Sequence, residues 1–270
     1  MATTTPTLAR RTLGTMLERL RKTAGVDVTT AANHVGVVRT TIGRWERGHA
    51  APKVGLIRAL SDLYQCSPAE MTRLTALAAQ SAERGIWEGA KVPPHLRALY
   101  ESESTAQSIR SVELDYIPGL LQTPDYLSAM QAERVGITSD EAEAVRRVYK
   151  QRQEVMFDGT RLPRMLFVMG PSALIYLDSL PDVQASQIKR LKEVCQLPGV
   201  EVRVMTQLHA AMDGAFTVIE PGQGLLAEPF VFLESADGSR YVEDRDVVST
   251  YQRIHERVLA KAIPLEDYLR

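Results

Sequence analysis

Apolar residues recur at helical spacing from near the start of the chain. Leu13, Leu17, Leu20 and Ala24 form one stripe, which predicts a first helix from about Thr12 to Ala24 with Gly25 ending it. Asp27 then offers a carboxylate cap to a second short stretch through Ala31, Ala32 and Val35. Gly36 turns the chain into a third segment that ends at Gly48. In it Ile42 and Trp45 sit three apart and must point inward, which leaves Arg39, Thr40, Gly43 and Arg44 on the other face. After the loop His49-Ala50-Ala51-Pro52, a fourth helix carries Leu56, Ile57, Leu60, Leu63 and Tyr64. Ser67-Pro68 caps and opens a fifth, lined by Met71, Leu74, Leu77 and Ala78. The pattern predicts an all-α domain of five short helices over residues 8–80.

From Gln80 to Pro94 the periodicity weakens, and Gly85, Gly89, Pro93 and Pro94 break it; a linker is expected over 81–94 and a second domain over 95–270. Leu96 to Thr105 reads as helical. Thr123-Pro124 opens another helix through Tyr126, Leu127 and Met130, and Ser139-Asp140-Glu141 a longer one with Ala142, Val145, Val148 and Tyr149 on a face. Strand-like runs follow at Met165–Met169, Val200–Met205, Ala215–Ile219, Phe230–Leu233 and Arg240–Val242. Ile188, Leu191 and Cys195 mark a helix between the first two, which suggests one crossover unit. Asp237-Gly238 reads as a hairpin turn, and a last helix runs from about Asp246 to Leu259. The second domain is therefore predicted to be α+β, with a sheet of about four or five strands.

Charge changes the picture. The chain has 270 residues and a net charge of −1, but up to Gln80 it holds eleven basic against five acidic residues. That gives +6 for the first segment and −7 for the rest. A basic module on an acidic body is the footprint of a polyanion reader. Two short helices joined by a tight glycine turn, the second with hydrogen-bonding side chains on its outer face, make a helix-turn-helix that a major groove accepts. Cys66 and Cys195 are far apart and lack metal-ligand spacing, so two free thiols in a reducing compartment are expected. The N-terminus lacks a signal-peptide pattern, and no apolar run approaches the roughly 18 residues of a membrane span. The expectation is a cytoplasmic protein that does not engage membranes.

Catalytic or cofactor chemistry is not indicated. His95, His209 and His255 are isolated, Pro221-Gly222-Gln223-Gly224 lacks the lysine of a phosphate loop, and Glu243, Asp244 and Asp246 read as a helix start. We expect no metal, no cofactor and no enzyme activity.

Residues Leu13 to Leu77 resemble the lambda-repressor-like, xenobiotic-response-element (XRE) family of helix-turn-helix regulators. The likeness rests on Arg21 four before Gly25, Ala32 four before Gly36, and Thr41-Ile42-x-x-Trp45-Glu46-x-Gly48-x-x-x-Pro52. Pro94 to Leu269 is similar to the C-terminal domain of unknown function found in many actinomycete regulators of that family, through Ile117-Pro118-Gly119-Leu120-Leu121-Gln122-Thr123-Pro124-Asp125-Tyr126. The resemblance implies a lambda-repressor-like DNA-binding domain that reads bases with Arg39, Thr40, Gly43 and Arg44. It implies phosphate contacts from Arg21, Arg47, His49, Lys53 and the amides opening the second helix, and an internal pair between Arg21 and Glu46. It further implies a homodimeric transcription regulator, expected to be a repressor, on inverted repeats with half-sites about 34 Å apart. Some such regulators are antitoxin-like, which implies a small co-encoded partner protein. The chain departs from the family at Val28, where Gln is favoured, and at Val38, where Ser or Thr would cap the third helix.

The motif from Ile117 to Tyr126 has two readings. One is structural, a Pro-Gly turn followed by a Thr123 cap with Pro124 at the first helical position. The other places Tyr116, Gln122 and Tyr126 at the mouth of a ligand or partner groove. A small-molecule-responsive sensor with a pocket in the second domain is the alternative to partner binding, and an enzyme with a DNA-targeting head a remoter one.

Overall fold

The leucine stripe is extended at its N-terminal end: α1 (Leu8–Thr23) starts before Thr12 and buries Leu13, Met16, Leu17 and Leu20. The computed structural model describes residues 8–81, 92–93, 96–158, 162–222, 228–235 and 238–270. Gly25, at a φ of 69°, turns the chain toward α2 (Val28–His34), and Gly36, at 67°, turns it again toward α3 (Arg39–Glu46). Such left-handed backbone strains any side-chain-bearing residue. α4 (Val54–Leu63) and α5 (Pro68–Gln80) complete the bundle, the latter through a reciprocal capping box between Ser67 and Glu70. One core of Leu13, Leu17, Ile42, Ile57, Leu60, Leu74 and Leu77 holds the five helices together. Gly14 sets their closest approach. A Cβ there would stand 2.5 Å from the carbonyl oxygens of Trp45 and Glu46, so α1 meets the end of α3 backbone to backbone.

The chain divides into two compact units, the first holding α1 to α5 and most of α6 (Arg97–Ser104). The second is built on a sheet that has seven strands among the described residues: β1 (Ala106–Glu113), β2 (Arg164–Met169), β3 (Val200–Val204), β4 (Phe216–Pro221), β5 (Phe230–Ser235), β6 (Gly238–Val242) and β7 (Ile263–Pro264). Their spatial order is β6-β5-β4-β1-β2-β3-β7. β1, β2 and β3 run parallel, and the remaining neighbours pair antiparallel. α10 (Pro181–Cys195) crosses from β2 to β3, as the alternation of strand and helix predicts.

The α+β class holds, but the expected four or five strands become seven. The missed central strand is β1. Its buried positions include Ser108 and Ser111, which hide polarity by hydrogen bonding: Ser108 Oγ donates to Glu220 at 2.7 Å, and Thr217 Oγ1 donates to Ser111 Oγ at 3.2 Å. A hydropathy reading registers those serines as surface. β7 has two residues and is too short to leave a pattern. β5 and β6 form the expected antiparallel pair, with Ser235 opposite Gly238, although Asp237 of the expected turn lies outside the described residues. So do most of the expected linker over 81–94 and His95.

One sheet face packs Val112, Val168, Phe216, Val218 and Val231 against Val248 and Val258 of α11 (Arg245–Lys261). His255 of that helix is fully buried and its Nε2 hydrogen-bonds the Leu166 carbonyl oxygen at 3.1 Å. The remaining helices are α7 (Pro124–Ala132), α8 (Ser139–Phe157), α9 (Ser172–Ile175) and α12 (Leu265–Tyr268). Cys66 and Cys195 are free thiols.

Candidate nucleic-acid interface

The two faces of α3 divide sharply. Ile42 and Trp45 are 1% and 6% exposed in the core, while Arg39, Thr40 and Arg44 stand in solvent and Gly43 is half-buried. The missing side chain at Gly43 leaves room for Arg47. A Cβ there would lie 3.1–3.5 Å from the Arg47 guanidinium, which therefore folds back along α3 beside Gly43.

Arg39, Arg44, Arg47 and Lys53 are exposed, and their side chains make no hydrogen bond or ion pair among the described residues. Arg58 on α4 joins them; charge alone could have nominated it, but the sequence reading passed over it. By contrast Lys22, Arg97, Arg110, Arg147 and Arg203 each face a carboxylate. Cations without internal partners are available to phosphates and base edges. His49 is half-buried, with a buried Nδ1 that has no hydrogen-bond partner among the described residues.

Arg21 and Glu46 clasp α1 to the end of α3. Arg21 Nε donates to Glu46 Oε1 at 2.6 Å, Nη2 donates to Oε2 at 3.0 Å, and Nη1 donates to the Val26 carbonyl at 2.9 Å. The hydrogen bonds to Glu46 raise the Arg21 pKa further above its ordinary value. Nearby, burial pushes the Tyr64 phenol up to about 12, with the Glu46 charge adding to the shift. Both side chains of the clasp are 9% exposed. A phosphate contact by Arg21 would have to come from the remaining N–H bonds of a nearly buried group.

The amides at the start of α2 are already occupied. Thr29 and Thr30 N–H groups donate to Asp27 Oδ1 at 2.8 and 2.9 Å, and these bonds hold the Asp27 carboxyl below its ordinary pKa. α3 lacks any such cap. Val38 has the extended N-cap conformation but supplies no side-chain acceptor.

In the second unit, hydrogen bonds tie the backbone of the Ile117–Tyr126 motif. Gln122 Nε2 donates to the Ile117 carbonyl at 2.7 Å, and the Ile117 N–H donates to the Tyr126 hydroxyl at 3.3 Å. Gln187 accepts from the Thr123 N–H and donates to the Leu121 carbonyl, while Gln153 donates to the carbonyls of Leu120 and Gln122. Thr123 caps α7, accepting from the Tyr126 N–H. Gln122 and Tyr126 are thus buried, whereas Tyr116 is 54% exposed; Gln122 Oε1 has no partner among the described residues. Asp244 caps α11 through the N–H groups of Asp246 and Val247. Among the described residues no three His, Cys, Asp or Glu side chains gather as metal ligands, and no helix is long and apolar enough to cross a membrane.

Two family models match the chain. Residues 96–268 match one described as a domain of unknown function (DUF5753), and residues 12–74 match a helix-turn-helix domain. Comparison with curated proteins finds no match.

Proposed function

The chain belongs to the DUF5753 family and carries a DNA-binding helix-turn-helix domain ahead of that region, and from this premise we propose that it is a sequence-specific, double-stranded-DNA-binding transcription regulator. The carrying observation is the outer face of α3, where Arg39, Thr40 and Arg44 stand exposed opposite the buried Ile42 and Trp45. A guanidinium fork fits guanine O6 and N7, and a threonine hydroxyl or methyl suits a neighbouring edge. Gly43 contributes to that face by leaving room for the Arg47 guanidinium. Arg47, His49 and Lys53 hold phosphates and set the register, with any contribution from Arg21 secondary to its clasp.

The protein acts in the cytoplasm, without cofactor, as a regulator rather than an enzyme. It works as a homodimer on an inverted repeat and as a repressor, with a DNA-binding head over 8–80, a linker over 81–94 and a body over 95–270. A small co-encoded protein docks on that body and alters operator affinity. A ligand-responsive body is the second reading; the unpartnered buried Gln122 Oε1, in the same motif as the exposed Tyr116, favours it. Enrichment of genomic fragments by the purified full chain tests the function. Recovery of one inverted repeat with half-sites about 34 Å apart supports it; recovery of fragments without any shared site defeats it.

A further inference from the structure

Val38 opens α3 without serving it. It holds the N-cap conformation, φ −78° and ψ 148°, yet makes no side-chain cap bond. Asp27, Ser67, Thr123, Thr138 and Asp244 each cap a helix by accepting from first-turn amides, whereas α4, α9, α10 and α12 share with α3 the lack of a side-chain cap; of these N-cap residues Val38 is the one that opens the DNA-facing helix. Nor does Val38 serve the core. Its neighbour Val37 packs against the buried cluster, while Val38 is left 67% exposed. An isopropyl group therefore stands in solvent at the leading end of this helix, directly before Arg39 and Thr40.

Its chemistry narrows what it meets. In a helix-turn-helix the N-terminal residues of the second helix approach the base edges. A valine side chain can neither donate to a phosphate nor accept from a base, so a polar contact is excluded. The one apolar group on the major-groove edges is the thymine C5 methyl. We propose that Val38 packs against a thymine methyl and selects that base at one position of each half-site, beside the bases taken by Arg39 and Thr40. The inference rests on the DNA-reading function proposed above and adds a base identity that the polar residues do not specify. Serine or threonine at this position would cap the helix; valine exchanges that cap for the methyl contact.

Deoxyuridine lacks only the methyl group of thymidine and so isolates the contact. The full chain and its Val38→Ser variant are titrated with an operator in which each thymine of one half-site is replaced in turn by uracil. For the wild type, one replacement weakens binding about fourfold, the value of one methyl group withdrawn from water. Val38→Ser binds the thymine and uracil versions of that position equally, and it unfolds at a higher temperature because the cap is restored. A preferred operator whose uracil scan is the same for both proteins overturns this inference alone. Failure to find any preferred operator overturns the DNA-reading function and this inference with it.

Discussion

Removing the Glu46 carboxylate strands a guanidinium. In the native head Arg21 spends its Nε and Nη2 on Glu46 at 2.6 and 3.0 Å, and both side chains are 9% exposed. Breaking a buried pair from one side costs about 3–5 kcal/mol, because the surviving charge stays in a poorly solvated site. Arg21 keeps its bond to the Val26 carbonyl, so Glu46→Ala belongs at the lower end of that range. In a domain of this size a loss of about 3 kcal/mol lowers the melting temperature by roughly 12–24 °C. The assay is thermal and urea unfolding of the full chain followed by Trp45 fluorescence in a Trp87→Phe background, since Trp45 is buried beside the clasp. A double-mutant cycle with Arg21→Met separates the pair from the parts. The two single losses must exceed the loss in the double variant, which no longer strands a charge. A Glu46→Ala loss below about 1 kcal/mol, the range of exposed pairs, or single losses that simply add, would refute the reasoning.

Gly43→Ala should raise the stability of the head by up to about 1 kcal/mol through helix propensity, yet weaken DNA binding. Its Cβ would stand 3.1 Å from the Arg47 guanidinium and displace it; unchanged affinity would deny Arg47 a role on that face. Gly14→Ala should cost about 1–3 kcal/mol in urea unfolding, because the new Cβ meets two backbone oxygens that cannot swing aside. An unchanged midpoint would disprove the close approach. The second domain should lose stability above pH 6.5. Burial, with Glu234 adding, raises Glu113 from 4.5 to about 8, so the native state holds a proton that the unfolded chain has released. Burial lowers His255 from 6.5 to about 4, an opposite slope that cancels that of Glu113 between 4.5 and 6.5 and vanishes above 6.5. Glu113 alone then sets a decline of about 1.4 kcal/mol per pH unit toward pH 8. Glu113→Gln should abolish it, and a decline that survives in the variant contradicts the assignment.

The helical head was readable from sequence because its helices bury apolar stripes, the first three end before Gly25, Gly36 and Gly48, and Asp27 and Ser67 cap the starts of α2 and α5. Ile42 and Trp45, once placed inward, fix which residues of α3 face out. The sheet was only partly readable. β2, β4 and β5 announce themselves by apolar runs and β3 by strict alternation, whereas β1 buries serines whose hydroxyls find partners on β4. Tertiary approach hid more of the site. Arg47 is a charge after the helix until its guanidinium is seen beside Gly43, and Gly14 is an ordinary helix glycine until Trp45 and Glu46 are set against it. Such facts depend on where side chains end, which spacing does not encode.

The most direct test of base reading by α3 is the affinity of Arg39→Ala and Arg44→Ala, beside wild type, for operator duplexes carrying each base change across a salt series. Each variant should lose about 1–3 kcal/mol and its base preference at one position of the half-site, with preferences elsewhere intact. Equal weakening on every sequence, with only the salt dependence altered, would contradict the account and leave α3 a phosphate clamp.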